Sequence, residues 1–416
     1  MNLALPTFWK HVLTVLSGAL GAQALPLLMA PLITRMCTPA QLGAFSVWFG
    51  IVAVVAIGAT LRLEAAMVLD HAGQHQRTCF RVVAWSATVI AIGVTVTAIG
   101  GRALDLPFLR QLSWLAILTI GLGAWLTATM QTTLAYATSH NAFGNAARAK
   151  VWGASTIALG QVGLLYCGAG GAALITGHLL GLCAGLVAAH LLLSPPSAAT
   201  GWRLDGEQRR YLRRHEKFWR FSLPSNLLNV AVGQLPLFLI GFRHGAVAAG
   251  LFALTQRVLA APVALLASSV LEVFKRQSAH DFQTLGNCAQ AYRYTFKALL
   301  LLALGPSVAL FLFSPSLFAW VFGEPWRAAG ELARILAPLY FLNFIASPLS
   351  YVFFVTGKQK ADLVWQVALF AMTAGVFLLP MSLHDSVLWY AIGYSLLYLV
   401  YLHMSYQCAR NRLEAA

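Results

Sequence analysis

Apolar residues arrive along this chain in long runs, and polar residues are confined to the short gaps between them. The runs reach about 20 residues, the length an α-helix needs to cross a bilayer. They predict helices at approximately 12–34, 44–69, 82–100, 112–138, 151–169, 171–193, 219–242, 247–273, 294–322, 332–355, 363–380 and 387–405. The expectation is an all-α polytopic membrane protein with about 12 transmembrane helices. A membrane β-barrel would show strands of about 10 residues with alternating polarity instead. The ninth helix carries Pro306 and Pro315, so it is expected as one long helix or as two pieces.

The stretch from Trp219 to Arg276 organises the remainder. It holds two spans joined by the short hinge "FRHG" at Phe242–Gly245. The first span carries Pro224, Asn226, Asn229, Gln234 and Pro236, and the second carries Gln256, Arg257 and Glu272. Polar groups at such depth are costly unless they face a bundle interior or an aqueous cavity. The early chain repeats the pattern. "QALPL" at Gln23–Leu27 parallels "QLPL" at Gln234–Leu237, and "LGAF" at Leu42–Phe45 parallels "AGLF" at Ala249–Phe252. Glu64 follows Phe45 by 19 residues, and Glu272 follows Phe252 by 20. Six helices separate the copies, so both have the same orientation and are related by an axis along the membrane normal. The resulting division is a six-helix lobe over 1–193, a basic cytoplasmic linker over 194–218, and a second six-helix lobe over 219–416.

Composition excludes a soluble domain. The chain is 59% hydrophobic and only 10% charged, where a soluble protein carries about a quarter charged residues. The net charge of +15 does not point to nucleic acid, because Lys and Arg sit mainly in the gaps between spans. With the N-terminus inside, 19 of the 28 Lys and Arg fall in cytoplasmic segments and 5 in the opposite ones, which puts both termini in the cytoplasm. The richest cluster lies between helices six and seven. There Leu204, Tyr211, Leu212, His215, Phe218 and Trp219 recur at helical spacing, with Arg209, Arg210, Arg213, Arg214 and Lys217 around the rest of the wheel. This suits an amphipathic helix on the inner leaflet touching anionic lipid; a docking site for lipid phosphate is the alternative. The triplet Ala22-Gln23-Ala24 resembles a cleavage site, but the apolar run continues to Thr34, so this segment is read as a retained first helix.

Six scattered cysteines, without CxxC or Cys/His clusters, support neither a metal site nor a disulfide framework. No DxD, HExxH, GxSxG or phosphate-binding glycine loop is present, and no outer loop is long enough for a catalytic domain. The chemistry therefore rests on charges inside spans. Arg257 lies about 10 residues into helix eight, roughly 15 Å along its axis, and is either an anion-binding group or a structural hydrogen-bonding hub. Arg62 and Glu64 lie in the cytoplasmic half of helix two. Two residues apart on a continuous helix they point to different sides, so a simple mutual ion pair is not expected and one or both should find a partner on another helix. Glu64 is a candidate for proton or cation coupling, or one half of a structural ion pair. Glu272 is placed to pair locally with Lys275 and Arg276. Arg35, Lys297 and Arg334 sit near span ends, where snorkelling explains them. His178 reads as a hydrogen-bonding residue or a proton relay, and Asn343 and Gln366 as interhelical links.

Four stretches carry a family resemblance: "LPLLMAPLITRMCTPAQLGAFSVW" (Leu25–Trp48), "LRLEAAMVL" (Leu61–Leu69), the region Ser222–Leu266, and "GEPWRAAGELARILAPLYFLNFIASPLSYVFFVTGKQK" (Gly323–Lys360). Together they resemble the Wzx-type polysaccharide flippases of the multidrug/oligosaccharidyl-lipid/polysaccharide exporter superfamily. The resemblance implies two six-helix lobes around a central cavity in the bacterial inner membrane. It implies movement of undecaprenyl-pyrophosphate-linked oligosaccharide, such as O-antigen or exopolysaccharide units, from the cytoplasmic to the periplasmic leaflet. Alternating access would be driven by an ion gradient, with H+ or Na+ as candidates, and other polysaccharide-assembly membrane proteins are candidate partners. Arg257, Arg62 and Arg35 match as substrate-binding positions and Glu64 as the ion-coupling position, with Leu63 where relatives often carry an aromatic. Neither a cofactor nor a catalytic residue is implied. Three rivals stand beside this reading, one of them a non-transporting membrane scaffold, which leaves the deep Arg and the paired lobes unexplained. A cation-coupled multidrug exporter should present more acidic groups, and an integral-membrane polysaccharide polymerase should carry a large periplasmic loop.

Overall fold

The computed structural model describes residues 28–67, 74–106, 109, 112–196 and 204–410. The start of the first expected helix, the Ala22–Ala24 triplet, the Gln23–Leu27 copy of the duplicated motif and part of the linker lie outside the described residues. Those described are helical almost throughout, with no strand among them. In order they form α1 (28–36), α2 (Pro39–Thr60), α3 (Leu63–Met67), α4 (Gln74–Ala103), α5 (Trp114–Ser139), α6 (Phe143–Tyr166) and α7 (Gly171–Leu193). The linker helix α8 (Gly206–Arg214) follows, then α9 (Leu223–Pro262), α10 (Ser268–Leu285), α11 (Ala289–Phe322), α12 (Arg327–Leu349), α13 (Val352–Val355), α14 (Gln359–Leu378) and α15 (Leu383–Arg410). Nine helical stretches among the described residues are long and apolar enough to cross a membrane. The all-α polytopic class expected from the runs is what the chain forms.

Local sequence explains where helices begin and bend. Helix α2 starts at "TPAQ": Thr38 Oγ1 accepts from Gln41 N at 3.3 Å, Gln41 Oε1 accepts from Thr38 N at 2.9 Å, and Pro39 sits at the first helical position, where its missing N–H costs nothing. The hinge expected at "FRHG" is Gly245, whose φ of 84° and ψ of 177° break α9 in a conformation that glycine adopts without a Cβ clash. Helix α11 runs unbroken for 34 residues through Pro306 and Pro315, which decides the open question in favour of one helix. Wide turns of π-helix interrupt the chain at Phe218–Ser222 and at Val263–Ala267, directly after Pro262. The second expected helix is not continuous over 44–69, since α2 stops at Thr60.

The described chain forms two compact units, one over Ala22–Gly250 and the other including Leu251–Ala416. In the first, Trp48 and Val52 of α2 pack against Gly123 of α5, and Ser86 of α4 donates to Ala59 O at 2.7 Å. Gln234 and Phe238 of α9 fill the space beside Gly50. Helices α6 and α7 approach until their backbones touch: a Cβ on Gly181 would meet Ile157 N at 2.6 Å and Gly153 O at 2.8 Å, and one on Gly177 would meet Gln161 N at 2.6 Å. The glycines of the two duplicated motifs also face one another. A Cβ on Gly43 would collide with Ala246 O, and one on Gly250 would collide with Pro39 O; each obstacle lies four residues before the other glycine. In the second unit, α11, α12 and α15 bury Tyr292, Leu299, Phe344, Ile345, Tyr398 and Tyr401 together with Phe353 of α13. Ser314 donates to Gly330 O at 2.8 Å where α11 and α12 touch.

The α6–α7 contact sets a stability test. Gly181→Leu forces side-chain atoms into backbone and should destabilise the detergent-purified protein by about 1–3 kcal/mol or more. Gly93 has no neighbour within 4 Å of an added Cβ, so Gly93→Ala should leave stability unchanged or raise it by up to about 1 kcal/mol. Thermal unfolding followed by intrinsic fluorescence distinguishes the two.

Candidate functional site

The break after α2 builds the first part of the site. Leu61 and Arg62 both take left-handed backbone conformations, with φ of 52° and 58°. This conformation costs an L-residue roughly 1–2 kcal/mol. The freed backbone is partly satisfied locally, with Leu61 N donating to Gly58 O at 3.2 Å and Arg62 N to Thr60 Oγ1 at 3.2 Å. The turn reverses the expected geometry. Arg62 and Glu64 do not diverge as they would on a straight helix. Arg62 Nη1 lies 3.2 Å from Glu64 Oε1, in a mutual ion pair. The expectation of partners on other helices fails because the two residues do not share one helix.

Packing holds this strained turn in place. Leu63 and Met67 of α3 are fully buried against Cys79, Phe80, Val82 and Val83 of α4 and Tyr211 of α8. Helix α8 begins with a reciprocal cap, Gln208 N on Asp205 Oδ1 at 2.8 Å and Asp205 N on Gln208 Oε1 at 3.0 Å. Thr78 donates to Glu207 at 2.6 Å, and Arg214 lies 3.2 Å from His75 Nε2. The apolar side of α8 is therefore spent on protein. Arg209, Arg210 and Arg213 of the same helix remain exposed.

The Arg62–Glu64 pair is incompletely satisfied. The Arg62 side chain is 33% exposed and that of Glu64 13%. Arg62 Nε and Glu64 Oε2 are buried with no hydrogen-bond partner among the described residues. A buried donor and a buried acceptor left open are costly. Their chemistry is complementary: the guanidinium offers a donor to an anionic oxygen, and the carboxylate offers a lone pair to a proton or cation.

The other expected positions lie on other elements. Arg35 is exposed in the last turn of α1, in the same unit. Arg257 belongs to the second unit, exposed on α9 between buried Thr255 and Leu259. It lies 12 residues beyond the Gly245 break, about 18 Å along the helix axis. The adjoining face of α9 is anchored by Thr255 Oγ1, which donates to Ala329 O of α12 at 2.8 Å. Glu272 pairs with Lys275 at 2.7 Å, as the spacing implied. His178 sits among the rings of Phe45, Trp48 and Phe49, with centroids 5.2–5.8 Å away. Gln366 is not an interhelical link; it donates to Asp362, one turn back on α14, at 2.8 Å. Asp362 makes the link itself, accepting from Tyr401 of α15 at 2.5 Å. Its position next to Lys358 and Lys360 hid it in an apparent loop, and the Asp362/Gln366 spacing was the available signal.

Comparison with known proteins then places the chain. The family model described as polysaccharide biosynthesis protein matches residues 32–331. Among solved structures, the lipid II flippase MurJ in an inward closed conformation superposes with a TM-score of 0.76 at 12% identity, covering 95% of this chain and 87% of that one. An inward-facing multidrug resistance MATE transporter of the MOP superfamily gives 0.66 at 14% identity, covering 93% and 97%. An outward-facing MATE transporter gives 0.60 at 16% identity, covering 95% and 94%. At these identities the likeness is one of fold. No curated protein matches the sequence.

A double-mutant cycle tests the Arg62–Glu64 geometry. Arg62→Gln, Glu64→Gln and the double variant should reveal a coupling energy of about 0.5–1 kcal/mol in unfolding experiments, modest because Arg62 is partly exposed. A continuous helix through residue 62 would give a coupling near zero.

Proposed function

This chain belongs to the polysaccharide biosynthesis protein family, and from that premise we propose that it is a lipid-linked oligosaccharide flippase. Its substrate in this reading is an undecaprenyl-pyrophosphate-linked repeat unit, taken from the cytoplasmic to the periplasmic leaflet of the bacterial inner membrane. The observation that carries the reading is the open Arg62–Glu64 pair on a strained break between apolar helices. A translocated headgroup is anionic, and its lipid tail stays in the bilayer. Arg257, Arg62 and Arg35 are proposed as its phosphate contacts, since charge-assisted hydrogen bonds to phosphate are strong yet individually exchangeable. When Arg62 turns to a phosphate, Glu64 loses its partner, and a proton or Na+ is the natural replacement. Glu64 is therefore the proposed coupling residue. Exposed Arg209, Arg210 and Arg213 on α8 are proposed to touch anionic lipid at the inner leaflet.

Purified protein in proteoliposomes, with lipid-linked oligosaccharide and an imposed pH or Na+ gradient, tests transport directly. Gradient-dependent appearance of headgroup in the opposite leaflet is expected. Efflux of a cationic dye without any flipping would favour the drug-exporter reading. Arg257→Ala and Arg62→Ala should each lower the flipping rate by about tenfold or more, the scale of one lost charge-assisted contact, at unchanged protein level. Full activity in both variants overturns the headgroup assignment.

Orientation has its own test. Cys167 is exposed between α6 and α7, a turn expected at the periplasmic face. Cys288, between α10 and α11, is buried, and loss of hydration together with nearby Asp281 pushes its thiol up to about 11, so it stays protonated and unreactive near neutral pH. In spheroplasts, a membrane-impermeant maleimide should label Cys167 and leave Cys288 silent even after permeabilisation. Labelling of Cys167 only after permeabilisation would invert the topology.

A further inference from the structure

A groove of about 210 Å³ runs along the second unit between α11 and α12. Leu304, Val308, Phe311 and Leu312 of α11 line it with Pro338 and Phe341 of α12, and Ser307 is its one polar residue. Short side chains make the space: Ala337, only 3% exposed, forms the floor beside Ser307. The surface around it is apolar and uncovered, with Leu301 at 74%, Leu304 at 50% and Phe313 at 58% exposure. Such a face is compatible with hydrocarbon and not with water.

A cation stands at one end. Arg334 lies four residues before Pro338 and seven before Phe341, hence on the same face of α12. It is exposed, and its Nη2 reaches Leu312 O, at the groove wall, at 3.5 Å. No ion pair holds it among the described residues, although it lies inside an apolar helical stretch over Glu324–Val355. Helical side chains lean towards the helix N-terminus. For Arg334 that direction is the wet end, marked by the exposed Glu324–Arg327 ion pair at 2.6 Å. A guanidinium above an apolar slot matches the two ends of an anionic lipid.

We propose that this groove binds an anionic phospholipid, with its phosphate on Arg334 and part of one acyl chain between α11 and α12. The slot spans residues 304 to 312, about 12 Å of helix, which suits a segment of one chain. A bilayer phospholipid is present in large excess over any transported lipid, so mass action favours it as the occupant.

The test uses the full chain in proteoliposomes containing trace phosphatidylglycerol or phosphatidylcholine, each with a diazirine on its acyl chain, and maps adducts by mass spectrometry. Phosphatidylglycerol should label peptides covering 304–312 and 337–341. Arg334→Gln should reduce that labelling by about tenfold, Arg334→Lys should retain most of it, and Ala337→Phe should abolish it for either lipid. Equal labelling by both lipids, or labelling unaffected by Arg334→Gln in protein that elutes as the wild type does, overturns the site. Competition by a polyprenyl phosphate but not by unlabelled phosphatidylglycerol also overturns it, and assigns the groove to the isoprenoid chain instead.

Discussion

A backbone inside hydrocarbon has to satisfy its own hydrogen bonds, and the architecture of this protein depends on that requirement. Each unpaired N–H or C=O in the bilayer core costs several kcal/mol, so the described residues are helical nearly everywhere. Among the exceptions are the double left-handed turn at Leu61–Arg62, the glycine break at Gly245, and the π-turns at Phe218–Ser222 and Val263–Ala267. At Leu61–Arg62 the compensation is visible in the Thr60 hydroxyl and the Gly58 carbonyl. After Pro262 the missing donor displaces the hydrogen-bond register by one residue rather than ending the helix. Two of the exceptions neighbour charges that the sequence places inside spans, Arg62 with Glu64 at one and Arg257 shortly before the other. Irregular backbone and intramembrane charge share places because both require surroundings that are not lipid.

The same environment changes what holds helices together. Lipid is as apolar as leucine, so apolar side chains alone give little drive for helix association, and close backbone approach supplies dispersion contacts instead. The α6–α7 pair uses Gly153, Gly177 and Gly181 in this way, and the Gly43–Gly250 contact does so at equivalent positions of two duplicated motifs. Reciprocity there is the geometry expected if the two motifs are copies of one. When two copies of one motif pack through the same residue, each glycine meets the carbonyl four residues before the other. Neither glycine tolerates a side chain, since the obstacle is backbone and cannot move aside.

Much of this was legible in the sequence, and the failures have physical causes. Spans are readable because twenty apolar residues have few alternatives, and Gly245 because glycine in a short polar gap permits a positive φ. The turn at Leu61–Arg62 was not readable. Leucine and arginine carry no preference for left-handed backbone, and the conformation exists because buried Leu63 and Met67 fasten the next helix to α4 and α8. Its ion pair was invisible for the same reason. Periodicity did identify α8 as amphipathic, but one apolar stripe cannot tell a leaflet from a protein groove. Tyr211, 4% exposed, chose protein. Asp362 was overlooked because a carboxylate beside two lysines reads as loop, whereas Tyr401, 39 residues later, draws it into the second unit.

Charge balance links these features to the proposed transport. An isolated ion at depth is costly, and a pair at 3.2 Å lowers that cost without removing it, because Arg62 Nε and Glu64 Oε2 stay open. The pair is thus stable enough to persist and incomplete enough to exchange. In the proposed cycle an anionic headgroup competes with Glu64 for Arg62. Were Glu64 then left as a bare carboxylate, the gain from the phosphate would be offset by a newly unpaired charge. A proton or Na+ on Glu64 removes that penalty, so headgroup and cation each bind better in the presence of the other. Coupling of this kind is reciprocal by necessity, and it needs no long-range signal because both ligands act on one ion pair. In the proposed cycle, coupling arises from two side chains on a turn that no sequence pattern announces.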